Sequence, residues 1–307
     1  MAIVILSRVF WRRFFFKQQR LEIEALFVYP VKSCAGISVK SWPVGQYGFV
    51  DDRTWVVVDS TSGFQTQREY PRMALIQPSY KKNNTILCLN APGMPELQID
   101  RTKPPPGKRV QLGIWEDPRP ANEESQECHD WFSKFLKKDT LKLFRAAKPP
   151  TTRPNDDSRS AFHDSNDLLF LTTKSLDGLR DHLPDNHKSC ANVLRFRPNV
   201  LVSGAFVPHE EDLWKKVTIG GILFESTRWC TRCRLTTIDP EKGEYPKKGE
   251  QPLSTLRKYR TAVDNSMIPL FGMYLTKTAP KTAAALQVGD SIKLLKLRDG
   301  PDLRNKN

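Results

Sequence analysis

The sequence predicts a globular protein built mainly of short strands, with a few short helices. Three observations carry this. Hydrophobic residues make up 39% and charged residues 27% of 307 positions, the balance of a soluble chain long enough for two ordinary domains or one large one. The 23 prolines exceed the usual ~5%, which favours loops and strands over long helices. Most apolar runs are short and end in turn residues, whereas helical spacing is confined to a few segments.

In chain order, Met1–Arg20 opens apolar (Ala2 to Leu6) and then mixes aromatics with arginine (Phe10 to Phe16). Its apolar run is far below the ~20 residues needed to span a bilayer, and no small-residue cleavage site follows. Rich in arginine and free of acid, it reads as a mitochondrial presequence or an interfacial anchor, with a disordered basic tail as the alternative. Glu24–Pro30 reads as the first strand and Tyr29–Gly36 as a turn carrying Lys32 and Ser33. Trp55–Asp59 reads as a buried strand, followed by a turn over Ser60–Gly63. Residues 80–118 hold short strands, with turns at Lys82–Asn84 and Ala91–Gly93 and a proline-rich link at Pro104–Gly107. Glu124–Lys138 predicts a helix whose core stripe is Trp131, Phe132, Phe135 and Leu136, with His129 on the surface.

Lys148–Asp157 is the best boundary between two halves, and Leu168–Leu171 predicts a strand beyond it. A helix over Lys174–Leu183 stops before Pro184. Asn192–Val202 reads as an apolar strand holding Arg195 and Arg197, with Pro198 marking an edge or bulge. A buried arginine there needs an anion. Val217–Arg228 predicts a hairpin around Gly220-Gly221, Pro252–Arg260 a short helix, and Pro269–Tyr274 and Val288–Ile292 two closing strands. No internal repeat is evident.

The formal charge of +14 raises the question of nucleic acid. Residues 1–20 carry +5 and residues 293–307 carry +3, which leaves +6 for the body. No nucleic-acid motif or stacking array accompanies it, so nucleic acid is not expected as a partner. Six cysteines in 307 residues are too sparse for a disulfide scaffold and read as reduced thiols.

The stretch with the most chemistry is Arg228-Trp229-Cys230-Thr231-Arg232-Cys233-Arg234, followed by Leu235-Thr236-Thr237-Ile238-Asp239-Pro240. Nearby positive charge favours a thiolate. A structural zinc site needs four ligands, and Cys34, Cys88, Cys128 and Cys190 all stand singly. A redox C-x-x-C pair should open a helix, but β-favouring residues follow. Two buried thiols would explain the cysteines but not the three arginines. The fourth reading is one thiolate on a soft metal, with arginines holding an anionic cofactor. Residue chemistry leaves these open.

The stretch resembles the R-x-x-C-x-R-C-x-x-T-T-x-D-P signature of the MOSC domain, found in molybdenum cofactor sulfurases and in the mitochondrial amidoxime-reducing component family. Tyr29–Gly36, Asp52–Val58, Thr66–Arg72, Arg197-Pro198-Asn199, Pro269–Tyr274 and Val288–Ile292 match further family motifs in order. The resemblance covers roughly residues 24–296 and is closer to the amidoxime-reducing component than to the sulfurases, since the chain has no room for their pyridoxal-phosphate domain. It implies a β-rich α+β fold: an N-terminal MOSC-associated strand domain (23–150) packed on a C-terminal MOSC β-barrel (151–296). The cofactor would lie between them, flanked by a targeting or anchor segment (1–22) and a basic tail (297–307).

The resemblance further implies a molybdenum–molybdopterin cofactor with Cys233 as the metal ligand and catalytic position, Cys230 being supporting. Carried-over cofactor contacts are Lys32, Ser33, Arg53, Ser165, Asn166, Arg197, Asn199, Thr231 and Arg232. Where the family carries D-T-S-P, this chain has Asp164-Ser165-Asn166-Asp167, so Asp167 adds negative charge beside an anion site. The implied activity is reduction of N-hydroxylated small molecules such as amidoximes and hydroxylamines. No C-x₄-C-x₂-C cluster is present, so electrons would come from a cytochrome b5-type carrier with its NADH-dependent reductase. The rival from another class is a molybdenum cofactor carrier or sulfur-transfer module without reductase activity. The implied location is mitochondrial, at the outer membrane through the N-terminus, with the cytoplasm as the alternative.

Overall fold

The computed structural model describes residues 19–45, 48–115, 117–147, 162–163, 168–262, 268–279, 284–301 and 303. Residues 1–18 of the expected anchor segment, the whole of the expected Lys148–Asp157 boundary and Asp164–Asp167 lie outside them. Two β-rich halves are joined, and the second is a closed seven-stranded barrel.

Round the barrel the strands run Val200–Ser203, Leu168–Thr172, Leu270–Ala279, Ile222–Thr231, Trp214–Ile219, Ser291–Leu297 and Leu21–Val28. The last pairs back onto the first through Ile23↔Val202 and Leu26↔Val200, which closes the sheet and removes its open edges. The chain's first strand is therefore a stave of the second half's barrel, whose interior is filled by Ile23, Leu26, Phe170, Trp214, Phe224 and Met273. Leu168–Thr172 and Val200–Ser203 run parallel, which demands a crossover, and the Thr173–His182 helix supplies it. The hairpin around Gly220-Gly221 pairs Ile219 with Ile222, both glycines at positive φ as its turn requires.

The first half stacks a five-stranded sheet centred on Leu141–Ala146 and Trp55–Asp59 with a three-stranded meander, Gln77–Lys81, Ile86–Asn90 and Leu97–Asp100. The Gln126–Leu136 helix drives Trp131, Phe132, Phe135 and Leu136 into its core beside Trp55 and Leu143, as the helical spacing predicts. His129 corrects the surface expectation, being only 4% exposed. It stands three and seven residues before Phe132 and Leu136, on the same face. Its Nδ1 accepts from Leu143 N at 3.1 Å while Nε2 donates to Glu123 at 3.2 Å.

Asn192–Val202 is also corrected. It is not one strand but a helical turn, Val193–Phe196, then Arg197 at φ +53, then the Val200–Ser203 strand. The Asn192 side chain caps that turn by accepting from Leu194 N at 2.9 Å, a local signal that outweighs β propensity. Val288–Asp290 is a turn around Gly289 (φ +88), and the closing strand is Ser291–Leu297. No helix among the described residues is long and apolar enough to cross a membrane.

Candidate functional site

The junction of the two halves is built on Tyr29, which is 1% exposed at the end of the first barrel strand. Backbone bonds clamp that strand's exit to the other half: Arg53 N donates to Tyr29 O at 2.7 Å, Trp55 N to Pro30 O at 3.0 Å and Lys32 N to Trp55 O at 2.7 Å. The clamp sets the Arg53 guanidinium 4.4 Å over the Tyr29 ring, and Arg197 lies 4.3 Å over the same ring. Ser33, Arg53 and Arg197 all hold left-handed backbone, at φ +67, +49 and +53. Each such non-glycine residue costs roughly 1–2 kcal/mol, and their clustering here is what a preorganised site looks like.

Three further expected cofactor contacts, Asn199, Arg232 and Lys32, lie beside them. Asn199 is the hub: its amide nitrogen donates to Phe27 O at 3.2 Å and Asp52 Oδ2 at 3.1 Å. Its oxygen accepts from Leu169 N at 3.2 Å and Arg53 Nη1 at 3.3 Å. With both ends engaged, Asn199 positions Arg53 and Asp52 through the protein. Arg53 also pairs with Asp52, which is 1% exposed and accepts from Tyr29 N at 2.7 Å. Arg197 Nη1 donates to Cys34 O at 2.6 Å. Arg232, 8% exposed, donates from Nε to Phe271 O and from Nη1 to Phe196 O, each at 2.8 Å. Its Nη2 is buried with no hydrogen-bond partner among the described residues. Gly272, at φ +87, leaves room for it, since a Cβ there would come 3.4 Å from Nη2 and 2.8 Å from Phe170 O.

Burial drives Tyr29 up to about 12 and Arg197 down to about 10, the like charge of Arg53 adding to the latter. Lys32, 3% exposed, donates to Phe162 O at 3.0 Å. Next to Phe162, His163 donates from Nε2 to Asp52 O at 2.7 Å, and burial pulls its ring down to about 4, so it is neutral. Among the described residues Arg53 pairs with Asp52, whereas Arg197 is held by the Cys34 carbonyl and Arg232 by the carbonyls of Phe271 and Phe196. A buried guanidinium with no carboxylate beside it is costly unless an anion joins it, and the idle Arg232 Nη2 gives one a donor. An anionic cofactor fits this donor set. A cavity of about 70 Å³ opens between the halves, lined by Tyr29, Gly36 and Gln67 from one side and Arg195, Arg197 and Leu235 from the other.

The two cysteines part company. Cys230 lies in the Ile222–Thr231 strand, 3% exposed, with its thiol donating to Tyr274 Oη at 3.3 Å. Cys233 is exposed at the start of a single 3-10 turn, Arg234–Thr237, and Thr231 is exposed at the strand's end. No helix long enough for a redox C-x-x-C pair follows. Among the described residues no three His, Cys, Asp or Glu side chains gather as a metal set. Arg195 holds this turn: its Nη1 donates to Thr236 O at 3.4 Å, Thr237 O at 2.9 Å and Ile238 O at 2.6 Å, and Asp239 lies 3.7 Å from its other end nitrogen. The anion expected for an arginine in this segment is, for Arg195, the Asp239 carboxylate, with the three carbonyls beside it.

Ser165 and Asn166 lie outside the described residues; Lys32, Ser33, Arg53, Arg197, Asn199 and Arg232 gather at the junction, while Thr231 and Cys233 are exposed on either side of Arg232 in the chain. Tyr29, Asp52, His163 and Arg195 were not singled out as site residues by the sequence. Asp52 beside Arg53 was a usable signal for a buried pair, whereas nothing local marks His163 or Tyr29.

The model of the MOSC N-terminal beta barrel domain matches residues 20–139 and that of the MOSC domain residues 157–293. The chain is 30% identical over 319 residues to mitochondrial amidoxime-reducing component 1 of Mus musculus, covering 96% of this chain and 90% of that protein. It is 30% identical over 314 residues to mitochondrial amidoxime reducing component 2 of Homo sapiens (95% and 90%). A molybdenum cofactor sulfurase of Solanum lycopersicum is 29% identical over 289 residues, 88% of this chain but 35% of the sulfurase.

Proposed function

Because the chain belongs to the MOSC-domain family that includes the mitochondrial amidoxime-reducing components, a family associated with the molybdenum cofactor, we propose that it is a molybdenum-cofactor-dependent reductase of N-hydroxylated compounds. The observation that carries this reading is a solvent-exposed thiol, Cys233, next in the chain to the buried Arg232, whose Nη2 has no hydrogen-bond partner among the described residues. Cys233 would hold the metal through a soft thiolate sulfur. Arg53, Arg197, Arg232, Lys32 and Ser33 would hold the anionic end of the pterin, and Ser165, Asn166 and Thr231 would complete the contacts. Bound there, a molybdenum–molybdopterin group supplies the two-electron removal of oxygen from nitrogen.

The protein's own part is orientation and charge. Arg195 fixes the turn that presents Cys233, Asn199 and Asp52 fix Arg53, and Cys230 stays sheltered against Tyr274. Electrons would arrive from a cytochrome b5-type carrier and its NADH-dependent reductase, an acidic carrier being suited to the basic body. A mitochondrial location, with residues 1–22 as the address or membrane contact, accords with the printed names of the relatives.

Reconstitution tests this. The purified chain, shown to hold molybdenum, is mixed with cytochrome b5, its reductase and NADH, and benzamidoxime is added. NADH oxidation should rise with substrate and depend on the chain. Unchanged oxidation in molybdenum-loaded protein would favour the cofactor carrier or sulfur-transfer reading.

A further inference from the structure

We infer that the Thr66–Ile76 segment is a brace that sets the Cys233 turn against the Lys32–Ser33 turn, with Gln67 and Tyr245 as the positioning residues at its two sides. The inference rests on the cofactor site of the reductase reading and gives a task to residues that make none of the expected cofactor contacts. On one side, Gln67 is 5% exposed and its amide nitrogen donates to Ser33 O at 2.7 Å. Ala35 N donates to Ile76 O at 3.0 Å, so both ends of the segment hold the same turn. Ser33 keeps left-handed backbone at φ +67, which a non-glycine residue holds only when its surroundings fix it.

On the other side, Tyr245 Oη donates at 3.1 Å to the carbonyl of Arg68, the residue after Gln67. The Arg234 guanidinium, next in the chain to Cys233, stacks 3.9 Å from the centre of the Tyr245 ring. Between the Cys233 turn and Tyr245 the chain closes on itself: Asp239 N donates to Glu244 O at 2.9 Å and Gly243 N to Asp239 O at 2.8 Å. Gly243 seats this loop on the brace at φ +62, where a Cβ would come 2.7 Å from Leu75 Cγ and 3.1 Å from Arg72 Cα. Only glycine allows that approach.

The segment between these contacts is stiff. Thr66 N donates to Glu69 Oε2 at 3.0 Å and Tyr70 N to Thr66 O at 2.9 Å, and the Pro71–Leu75 3-10 helix follows with Met73 fully buried. Gln67 and Ala74 of the brace, Gly36 beyond the Ser33 turn, and Leu235 and Ile238 of the Cys233 turn line the cavity of about 70 Å³. The brace therefore ties two sets of expected cofactor contacts that stand 200 positions apart in the chain, at Ser33 and Cys233. A group gripped at both ends binds tightly only when the two grips are preset at the right separation.

The test uses the full chain loaded with its molybdenum cofactor and reads the rate of pterin release through the fluorescence of the oxidised pterin. The melting temperature of the cofactor-free chain is measured beside it. Gln67→Met and Tyr245→Phe should each speed release about fivefold, the effect of losing one hydrogen bond between neutral groups. Neither should lower the melting temperature by more than about 4 °C. Gly243→Ala should match or exceed Tyr245→Phe. Because both bonds belong to one link, the Gln67→Met and Tyr245→Phe double variant should fall well short of the ~25-fold to which independent effects would multiply. Unchanged release in any single variant, full multiplication in the double, or release that follows the melting temperature alone overturns the brace. Faster release in the variants of a loaded wild-type chain that does not turn over benzamidoxime would sink the reductase reading and leave the brace standing. A wild-type chain that carries no pterin after expression in a cofactor-competent cell would overturn both.

Discussion

The Cys230 thiol donates to the Tyr274 hydroxyl at 3.3 Å, while Cys233, three residues on, faces solvent. The strand ends between them, so the pair divides into one packed thiol and one presented thiol. Cys233→Ser should abolish molybdenum retention and amidoxime reduction while leaving the melting temperature within about 2 °C, as surface changes do. Cys230→Ser should keep the metal and cost about 1 kcal/mol of stability. Metal analysis and thermal unfolding of both variants check this, and the reverse pattern would reassign the ligand.

Arg195 spans three consecutive carbonyls of the Cys233 turn. Removing it strands those acceptors together with a charge-assisted bond, so Arg195→Ala should lose about 2–3 kcal/mol in urea unfolding. It should also lower cofactor occupancy. Arg195→Lys, which lacks the planar fork, should recover less than half of either loss.

Stability should carry two opposed pH terms. Burial pulls the His163 ring down to about 4, so below pH ~6.5 the unfolded chain takes up a proton that the folded chain refuses. This term lowers stability as pH falls from ~6.5 to ~4, by about 3 kcal/mol in all. Burial, with the charge of Asp212 adding, lifts Glu211 to about 7, where Thr172 and Ser175 surround its carboxyl. That term runs the other way, lowering stability as pH rises from ~4.5 to ~7 by a similar amount. Relative to wild type, Glu211→Gln should therefore gain stability as pH rises through that window, and His163→Gln should gain as pH falls. Denaturant titrations at pH 4.5, 5.5, 6.5 and 7.5 separate the two, and parallel curves for wild type and variants would refute the assignment.

A fluorescent reporter fused to residues 1–22 should colocalise with a mitochondrial marker in a eukaryotic cell. Replacing Arg8, Arg12 and Arg13 with glutamate should release it into the cytosol. A wild-type fusion that stays diffuse would remove these residues as the address.

Local chemistry was legible where neighbours along the chain decide it. The Gln126–Leu136 stripe, the hairpin at Gly220-Gly221 and the C-x-x-C among arginines all follow from spacing within a dozen residues. The resemblance then pointed to Cys233 over Cys230, a choice that residue chemistry alone left open.

Asn192–Val202 was misread because composition favoured a strand, while one capping side chain, Asn192, turned it into a helix and left Arg197 at its left-handed end. His129 was misread because its partner, Leu143 N, comes from a strand that the sequence does not tie to the helix. The sequence by itself determined which residues carry charge, thiol and turn chemistry, because those are properties of single side chains and short spacings. Only the tertiary structure decided that Arg53, Arg197 and Arg232 share one tyrosine, that Asp52 is the carboxylate set against them, and that the chain's first strand closes the second half's barrel. Those relations join residues from 23 to about 200 positions apart, and no local pattern encodes which long-range pairs a closed sheet will bring into contact.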